Sequence, residues 1–316
     1  MRVLIVTTMW PTAAEPALGS FVRDQVDALR AEGADVDVFA FPPGGYLRAA
    51  RDLRRSRGAA DYDVVHAHFG LSAWPALALR GLPHAVTLHG TDLRHPRSRR
   101  ITRAALPFYD LVAAVSDELA AEAGDRRGRR DVKVLPCGVD LDRFGPIDRR
   151  EARAQLGLPA DEPVLLFPAD PHRPAKRFDH AREAAGDVRL LTLGRVHPFE
   201  VPLYVNAANA VLVPSDHEGF GLAVLEALAC DVPVLATPVG NHPAALTGVA
   251  GTLCATYDRD AWRAALAPHL AAADPRIEGR TSAQRWSSTA MARRVIGAYN
   301  EVLASPQAPS TGADSA

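Results

Sequence analysis

The stretch Ala210-Val211-Leu212-Val213-Pro214-Ser215-Asp216-His217-Glu218-Gly219-Phe220-Gly221-Leu222-Ala223-Val224-Leu225-Glu226-Ala227-Leu228 reads in three parts. Ala210–Val213 is a short aliphatic run stopped by a proline, the pattern of a buried strand. Two glycines within three positions, Gly219 and Gly221, mark a turn. From Leu222 onward the residues are helix formers with an apolar face. Strand, turn and helix in that order are one unit of a parallel sheet covered by helices.

The same unit recurs on both sides. Toward the N-terminus, strands are expected at Val3–Thr7, Val36–Phe41, Val64–His66, Ala85–His89, Leu111–Val115 and Val132–Leu135, with helices between them. The clearest helix is Phe21–Glu32, with Gly33 as its C-cap. Phe144-Gly145-Pro146-Ile147-Asp148 breaks the pattern, and a second series follows at Val164–Phe167, Leu190–Leu193, Ala210–Val213 and Val234–Ala236. Strands apolar on both faces point to an α/β fold with parallel, doubly covered sheets. The expected domains are residues 1–145 and 146–282. A final helix is expected over about Ala283–Leu303, carrying Trp286 and Tyr299. The Ser/Pro/Ala/Gly-rich tail, 305–316, is expected to be disordered.

At 316 residues the chain is long enough for two such cores. Its 36 basic and 37 acidic side chains nearly cancel, which gives no sign of a nucleic-acid partner. Cys137, Cys230 and Cys254 have neither disulfide nor metal-ligand spacing, so reduced thiols in a cytoplasmic protein are expected. No apolar run approaches the length of a membrane span, and Arg2-Val3-Leu4-Ile5-Val6 reads as a first strand rather than a leader.

Within the opening stretch, Glu226 is out of place. On a helix it shares a face with Leu222, Leu225 and Ala229, the side that packs against the sheet. A carboxylate there must find donors or cost several kcal/mol. A ribose diol supplies two; a nearby Lys or backbone N–H is the plainer solution. Glu218 sits eight residues earlier, in the turn at the mouth of the strand. The free N–H groups at the helix start between them suit a phosphate.

Glu218…Glu226 within Glu-Gly-Phe-Gly-Leu-x-x-x-Glu-Ala-Leu-Ala resembles the E-x7-E motif of retaining GT-B glycosyltransferases of family 4. The resemblance extends to Val232-Pro233-Val234-Leu235-Ala236-Thr237-Pro238-Val239-Gly240 and to Pro136-Cys137-Gly138-Val139-Asp140…Phe144. It implies two Rossmann-like domains facing across a cleft, with the final helix packing back on the first, and an enzyme of the hexosyltransferase class, acting in cell-surface polysaccharide synthesis. By that resemblance Glu218 contacts hydroxyls of the donor sugar and Glu226 holds the ribose. Gly219, Phe220, Gly221 and Leu222 line the sugar and phosphates with backbone N–H groups.

Phe167-Pro168-Ala169-Asp170-Pro171-His172-Arg173-Pro174-Ala175-Lys176-Arg177-Phe178 follows the first strand of the second series. Cations so placed suit a diphosphate leaving group. The family usually carries Gly-Arg-x-x-x-x-Lys here: Lys176 matches, Arg173 is shifted, and Arg177 is its alternative. The Asp-Pro-x-Arg-Pro-x-Lys-Arg variant resembles the teichuronic-acid-type subgroup. In Leu88-His89-Gly90-Thr91-Asp92, the resemblance puts His89 near the donor's primary hydroxyl and the reacting face. After the first strand, Gly19 and Ser20 are the expected neighbours of the β-phosphate. His66 and His68 have a metal-like spacing but no evident third ligand.

The resemblance implies retention at the anomeric carbon, no metal or other cofactor, and a leaving diphosphate that assists the incoming hydroxyl. Asp187–Ala210 is short for the family, leaving base recognition to Leu193-Gly194-Arg195-Val196; UDP is the first expectation and GDP the second. Arginines cluster at Arg48, Arg51, Arg54, Arg55 and Arg57, at Arg94, Arg97, Arg99, Arg100 and Arg103, and at Arg126, Arg127, Arg129 and Arg130. They read either as solvated surface or as a patch that docks on anionic lipid at the inner face of a membrane, presenting the acceptor. The acceptor itself is not encoded legibly. The rivals are a sugar-nucleotide epimerase-like enzyme on the same fold, a Rossmann oxidoreductase and a silent sugar-nucleotide-binding homologue. Thr7–Pro11 lacks the Gly-x-Gly-x-x-Gly an oxidoreductase needs, and a silent homologue has no reason to keep Glu218, Glu226 and Lys176 together.

Overall fold

The computed structural model describes residues 1–124, 131–194 and 196–305. Two parallel sheets form its frame. The first contains β1 (Arg2–Thr7), β2 (Asp35–Ala40), β3 (Val64–His68), β4 (His84–Leu88), β5 (Leu111–Ala114) and β6 (Lys133–Val134), in the order β2-β1-β3-β4-β5-β6. The second contains β7 (Val164–Phe167), β8 (Arg189–Thr192), β9 (Ala210–Val213), β10 (Val234–Ala236) and β11 (Leu253–Cys254), in the order β11-β10-β9-β7-β8. Parallel neighbours require crossovers, and helices supply most of them on both faces. That is why β3, β4, β5, β7 and β9 are buried at every position.

All ten expected strands are present within a residue or two of their expected ends. Two differ by two residues in length: β6 is shorter than expected, and β3 runs on to His68 and so carries both His66 and His68 on one face. The expectation missed β11, two residues long, which is too short to show a period.

The last helix differs from expectation. A helical turn at Arg280–Ala283 and a 3-10 turn at Gln284–Trp286 precede it, and the helix proper is Ser288–Ala304. Ser287 is extended, and its hydroxyl accepts from the Ala290 N–H as the N-cap. Val139 holds the break open: its N–H donates to Trp286 O at 2.8 Å and its carbonyl accepts from Ser288 N at 2.9 Å. Trp286 therefore lies before the helix, not on it. Tyr299 is on it, fully buried against the first sheet, with Met291, Ala292, Val295 and Ala298 packed beside Val3, Ile5, Val22 and Val26.

The backbone crosses between the two sheets twice, once through about residues 135–148 and again through about 272–287. Arg280 ties the crossings together, donating to the carbonyls of Leu141 at 2.7 Å and Phe144 at 2.6 Å, and to that of Ala229 at 2.9 Å. Arg276 donates beside it to Ile147 O, Cys230 O and Asn206 Oδ1. One apolar cluster runs from Val86 and Leu88 through Val139 and Phe144 to Val211, Val224 and Leu225, so the two lobes share a continuous floor. Residues 306–316, Arg126, Arg127, Arg129 and Arg130 lie outside the described residues, as does Arg195.

Candidate functional site

In an open parallel sheet, a crevice forms beyond the strand ends where successive connections depart in opposite directions. In the first sheet that point lies between β1 and β3; in the second it lies between β7 and β9. The loops leaving these strands hold nearly every residue singled out in the sequence, and the two crevices face each other. Where they meet, a Cβ on Gly219 would stand 2.1 Å from the His89 carbonyl oxygen, so only glycine permits the approach. Gly219 is thereby the point at which the Glu218 turn touches the His89 loop.

On the second lobe, Lys176 reaches from the loop after β7 to Glu218 in the loop after β9. Its Nζ donates to both carboxylate oxygens, at 2.6 and 2.7 Å, and Ser215 Oγ donates to Oε1 at 2.7 Å. Glu218 is 8% exposed. Burial alone would raise its pKa, but Lys176, His242 and Ser215 outweigh it and the net direction is downward. The group is an anion with two donors already committed.

Glu226 is the opposite case. It stands one turn into the helix Leu222–Ala229, whose N-cap Gly221 is left-handed at φ 102°. Among the described residues its carboxylate makes no hydrogen bond and no ion pair. Burial raises its pKa to about 7, with the Arg143 charge only partly opposing. Arg143 itself is held by Asp24 in a two-pronged pair, at 3.1 and 2.6 Å. The Lys or N–H partner that would have explained Glu226 internally is missing among the described residues: the Arg143 and Lys176 charges act on it without bonding it.

On the first lobe, Asp92 builds the His89 loop. Its buried carboxylate accepts from the N–H groups of His89, Gly90 and Gly70. His89 is half-buried and its ring lies against Phe21, centroids 4.8 Å apart. Burial lowers its pKa to about 3, so the ring is neutral. Phe21 follows Gly19 and Ser20 at the start of the helix Ser20–Ala31, which brings that N-terminus to the same crevice. Gly19 has φ 65° and a Cβ there would lie 2.2 Å from the Met9 carbonyl.

The two arginines separate. Arg177 is engaged by Asp179 at 2.7 Å and Asp216 at 3.0 Å. Arg173 is exposed, and its guanidinium has no hydrogen bond or ion pair among the described residues. His66 has both ring nitrogens occupied, Nδ1 by the Tyr299 hydroxyl at 2.5 Å and Nε2 by Thr87 Oγ1 at 2.8 Å. Among the described residues no group of three or more His, Cys, Asp or Glu is placed to hold a metal ion.

Several neighbours were missed in the sequence. Asp24, Arg143 and Ser215 are ordinary residues whose importance comes from partners far along the chain. Phe199 is 62% exposed at the crevice edge, with Arg23 of the opposite lobe 5.2 Å over its ring. His242 is fully buried beside Gly221; its Nδ1 bonds Thr237 O at 2.9 Å and its Nε2 has no partner among the described residues. Neither the Val196-His197-Pro198 before Phe199 nor the Pro after His242 carries a signal of either role.

Comparison with known proteins adds the following. Residues 18–143 match the family described as Glycosyltransferase Family 4, and residues 165–271 match the one described as Glycosyl transferases group 1. The chain is 33% identical to the D-inositol 3-phosphate glycosyltransferase of Mycobacterium avium over 73% of its own length and 65% of that protein's, so it spans a little under two thirds of that relative. It is 34% identical to the protein of that name from Actinosynnema mirum, covering 82% of this chain and 77% of the relative. The Frankia alni protein of that name is 30% identical over 94% and 88%. Among solved structures, sucrose-phosphate synthase from Thermosynechococcus elongatus superposes with a TM-score of 0.73 at 22% identity, covering 96% of this chain and 99% of that one. Anabaena HepE in complex with UDP and glucose gives 0.72 at 16%, covering 95% and 100%. These neighbours have the GT-B fold.

Proposed function

The chain belongs to the family 4, group 1 glycosyltransferases, and from that premise we propose that it moves a hexose, with retention, from a UDP-sugar to a hydroxyl acceptor. The observation that carries this reading is the pair of unlike carboxylates on either side of one helix start. Glu218 is already bonded by Lys176 and Ser215 with an acceptor position to spare, whereas Glu226 has all its donors to gain. A nucleoside diphosphate sugar fits that asymmetry. Its ribose diol donates to Glu226, its phosphates lie over the N–H groups of Gly219, Phe220, Gly221 and Leu222, and its sugar meets Glu218 and His89.

Lys176 and Arg173 face the diphosphate in this reading, with Arg173 preferred to Arg177 because its charge is uncommitted. Gly19 and Ser20 complete the phosphate site from the first lobe. In the reaction, the bond between the anomeric carbon and the diphosphate oxygen breaks while the acceptor oxygen bonds the same carbon on the same face. The departing phosphate oxygen takes the acceptor's proton. The protein contributes position and positive charge where negative charge grows. UDP is favoured over GDP because HepE, which shares the fold, forms complexes with UDP and with UDP-glucose, which is support by analogy.

The acceptor is a glycan, a lipid-linked sugar or a small molecule, and peripheral contact with an anionic membrane belongs to the same proposal. The helix Tyr46–Ser56 carries Arg48, Arg51, Arg54 and Arg55 against one acid, Asp52, and the helix Pro96–Ala105 carries Arg97, Arg99, Arg100 and Arg103 against none. Exposed Trp74, Ile101 and Phe108 lie among the latter. No helix among the described residues is long and apolar enough to cross a membrane.

The test is a thermal-shift and hydrolysis screen against UDP-, GDP- and other nucleotide-sugars and a nicotinamide cofactor, with and without EDTA. A shift selective for a UDP-sugar, indifferent to EDTA and lost in Glu226→Ala, is the expected result. A shift from the nicotinamide cofactor alone would sink the proposal. Co-sedimentation with anionic and neutral liposomes tests the membrane element; equal, negligible binding removes it.

A further inference from the structure

Behind His89 runs a short chain of side-chain hydrogen bonds. His68 Nδ1 lies 3.0 Å from His89 Nε2, and His68 Nε2 lies 3.3 Å from Nε2 of the Gln25 carboxamide. The two imidazoles are stacked, centroids 5.2 Å apart at 24°. Gln25 comes from the helix Ser20–Ala31, His68 from the end of β3 and His89 from the loop after β4, so three separate elements converge on one line. His68 is fully buried, and Gln25 nearly so. His66, though its ring touches His68 at 4.3 Å, is outside the line because Tyr299 and Thr87 take both its nitrogens.

The chain has a direction. A carboxamide nitrogen only donates, so His68 Nε2 accepts. A neutral imidazole that accepts at Nε2 carries its proton on Nδ1, and that proton points at His89 Nε2. His89 Nε2 is then an acceptor too, which leaves the His89 proton on Nδ1. His89 Nδ1 has no partner among the described residues and is not among their sealed, unpartnered atoms. Burial keeps His89 and His66 neutral, with pKa values of about 3, and holds His68 well below the ordinary range, so the argument for neutral rings applies to the whole cluster.

We propose that Gln25 and His68 are positioning residues that lock His89 in its Nδ1–H tautomer, so that it offers the cleft a hydrogen-bond donor and not a base. The inference rests on the reading of His89 as a donor-sugar contact and deepens it. A sugar hydroxyl oxygen receives a bond from Nδ1–H, and the acceptor's proton is left to the departing phosphate, with no bare imidazole nitrogen competing for it.

The experiment is long-range proton–nitrogen NMR on histidine-labelled protein at neutral pH, with the His89 signals assigned by their loss in His89→Asn. Wild type is expected to show Nδ1–H at His89. His68→Phe is expected to release it to a mixture weighted toward Nε2–H and to lower kcat about 10–100-fold with the donor KM within about threefold. His68→Asn, which keeps an N–H near the position of the imidazole Nδ1, is expected to hold the Nδ1–H form and stay within about threefold of wild-type kcat. An Nε2–H tautomer in wild type, which the opposite orientation of the Gln25 amide would produce, overturns the proposal. So does an unchanged tautomer in His68→Phe. Full turnover in His89→Asn would instead overturn the sugar-contact reading, a result the NMR of the wild-type chain does not depend on.

Discussion

A carboxylate at position 226 works against the stability of the unliganded protein. Its pKa is near 7 in the folded chain against an ordinary 4.5, so below pH 4.5 both states are protonated and nothing is lost. As pH rises, the unfolded chain ionises first; the folded state loses ground until about pH 7, beyond which the deficit is constant. Glu226→Gln is therefore expected to raise the thermal midpoint at pH 8 by a few degrees, about 1–3 kcal/mol, with no gain at pH 4. The same variant should bind nucleotide-sugar at least ten-fold more weakly. Equal midpoint shifts at both pH values would contradict the assignment. Glu218 has the reverse sign, its pKa depressed, so its share of stability is present above pH 4.5 and disappears in acid. Removing its partner in Lys176→Met leaves a buried anion unpaired, with an expected cost of about 3–5 kcal/mol at neutral pH and a kcat lower by about 10²–10³-fold. Scanning calorimetry and initial-rate kinetics on the purified variant measure both. At this scale the sequence was half legible. Glu226 stood out because a helical period placed a charge on an apolar face. Its lack of a partner and the Lys176–Glu218 pair were invisible, since both depend on residues brought together from far along the chain.

Elements were more legible than their meeting points. Aliphatic runs bounded by Pro and Gly identify a buried strand, and ten were found that way; β11, with two residues, has no period to read. The last helix was placed too early because its apolar residues begin before the cap. Ser287 is an N-cap only because Val139, almost 150 positions away, pairs with its neighbours. The approach of the His89 and Glu218 loops is likewise a tertiary fact, and it makes Gly219 a sensitive position. Gly219→Ala puts a methyl group into the His89 carbonyl and should force the two loops apart by an ångström or more. Because the strain falls on loops, the expected outcome is a loss of about 10²-fold or greater in kcat/KM with far-ultraviolet dichroism unchanged. Retained activity would mean that the contact is not kept during turnover.

For the whole molecule, the fold class and the two-lobed arrangement followed from the repeated strand–turn–helix unit, while the joint between the lobes did not. Nothing in Arg280 or Arg276 announces that, from the second crossing, they will bind backbone carbonyls of the first and of the end of the helix Leu222–Ala229. Arg280→Ala strips three carbonyls of a charged donor and is expected to cost about 2–4 kcal/mol, read as a lower midpoint of thermal unfolding. Arg280→Lys should recover only part of it, because an ammonium lacks the planar fork that reaches several oxygens at once.

Two cords of chain pinned side by side behave unlike a single tether. One strand of backbone would let a lobe swivel in any direction; a pair, fastened to each other by Arg280, acts as the two knuckles of a door. The lobes then swing about the line joining the knuckles and resist sliding or twisting. Opening and shutting are then expected to follow a single coordinate, along which the His89 and Glu218 loops would part and return to the same registration.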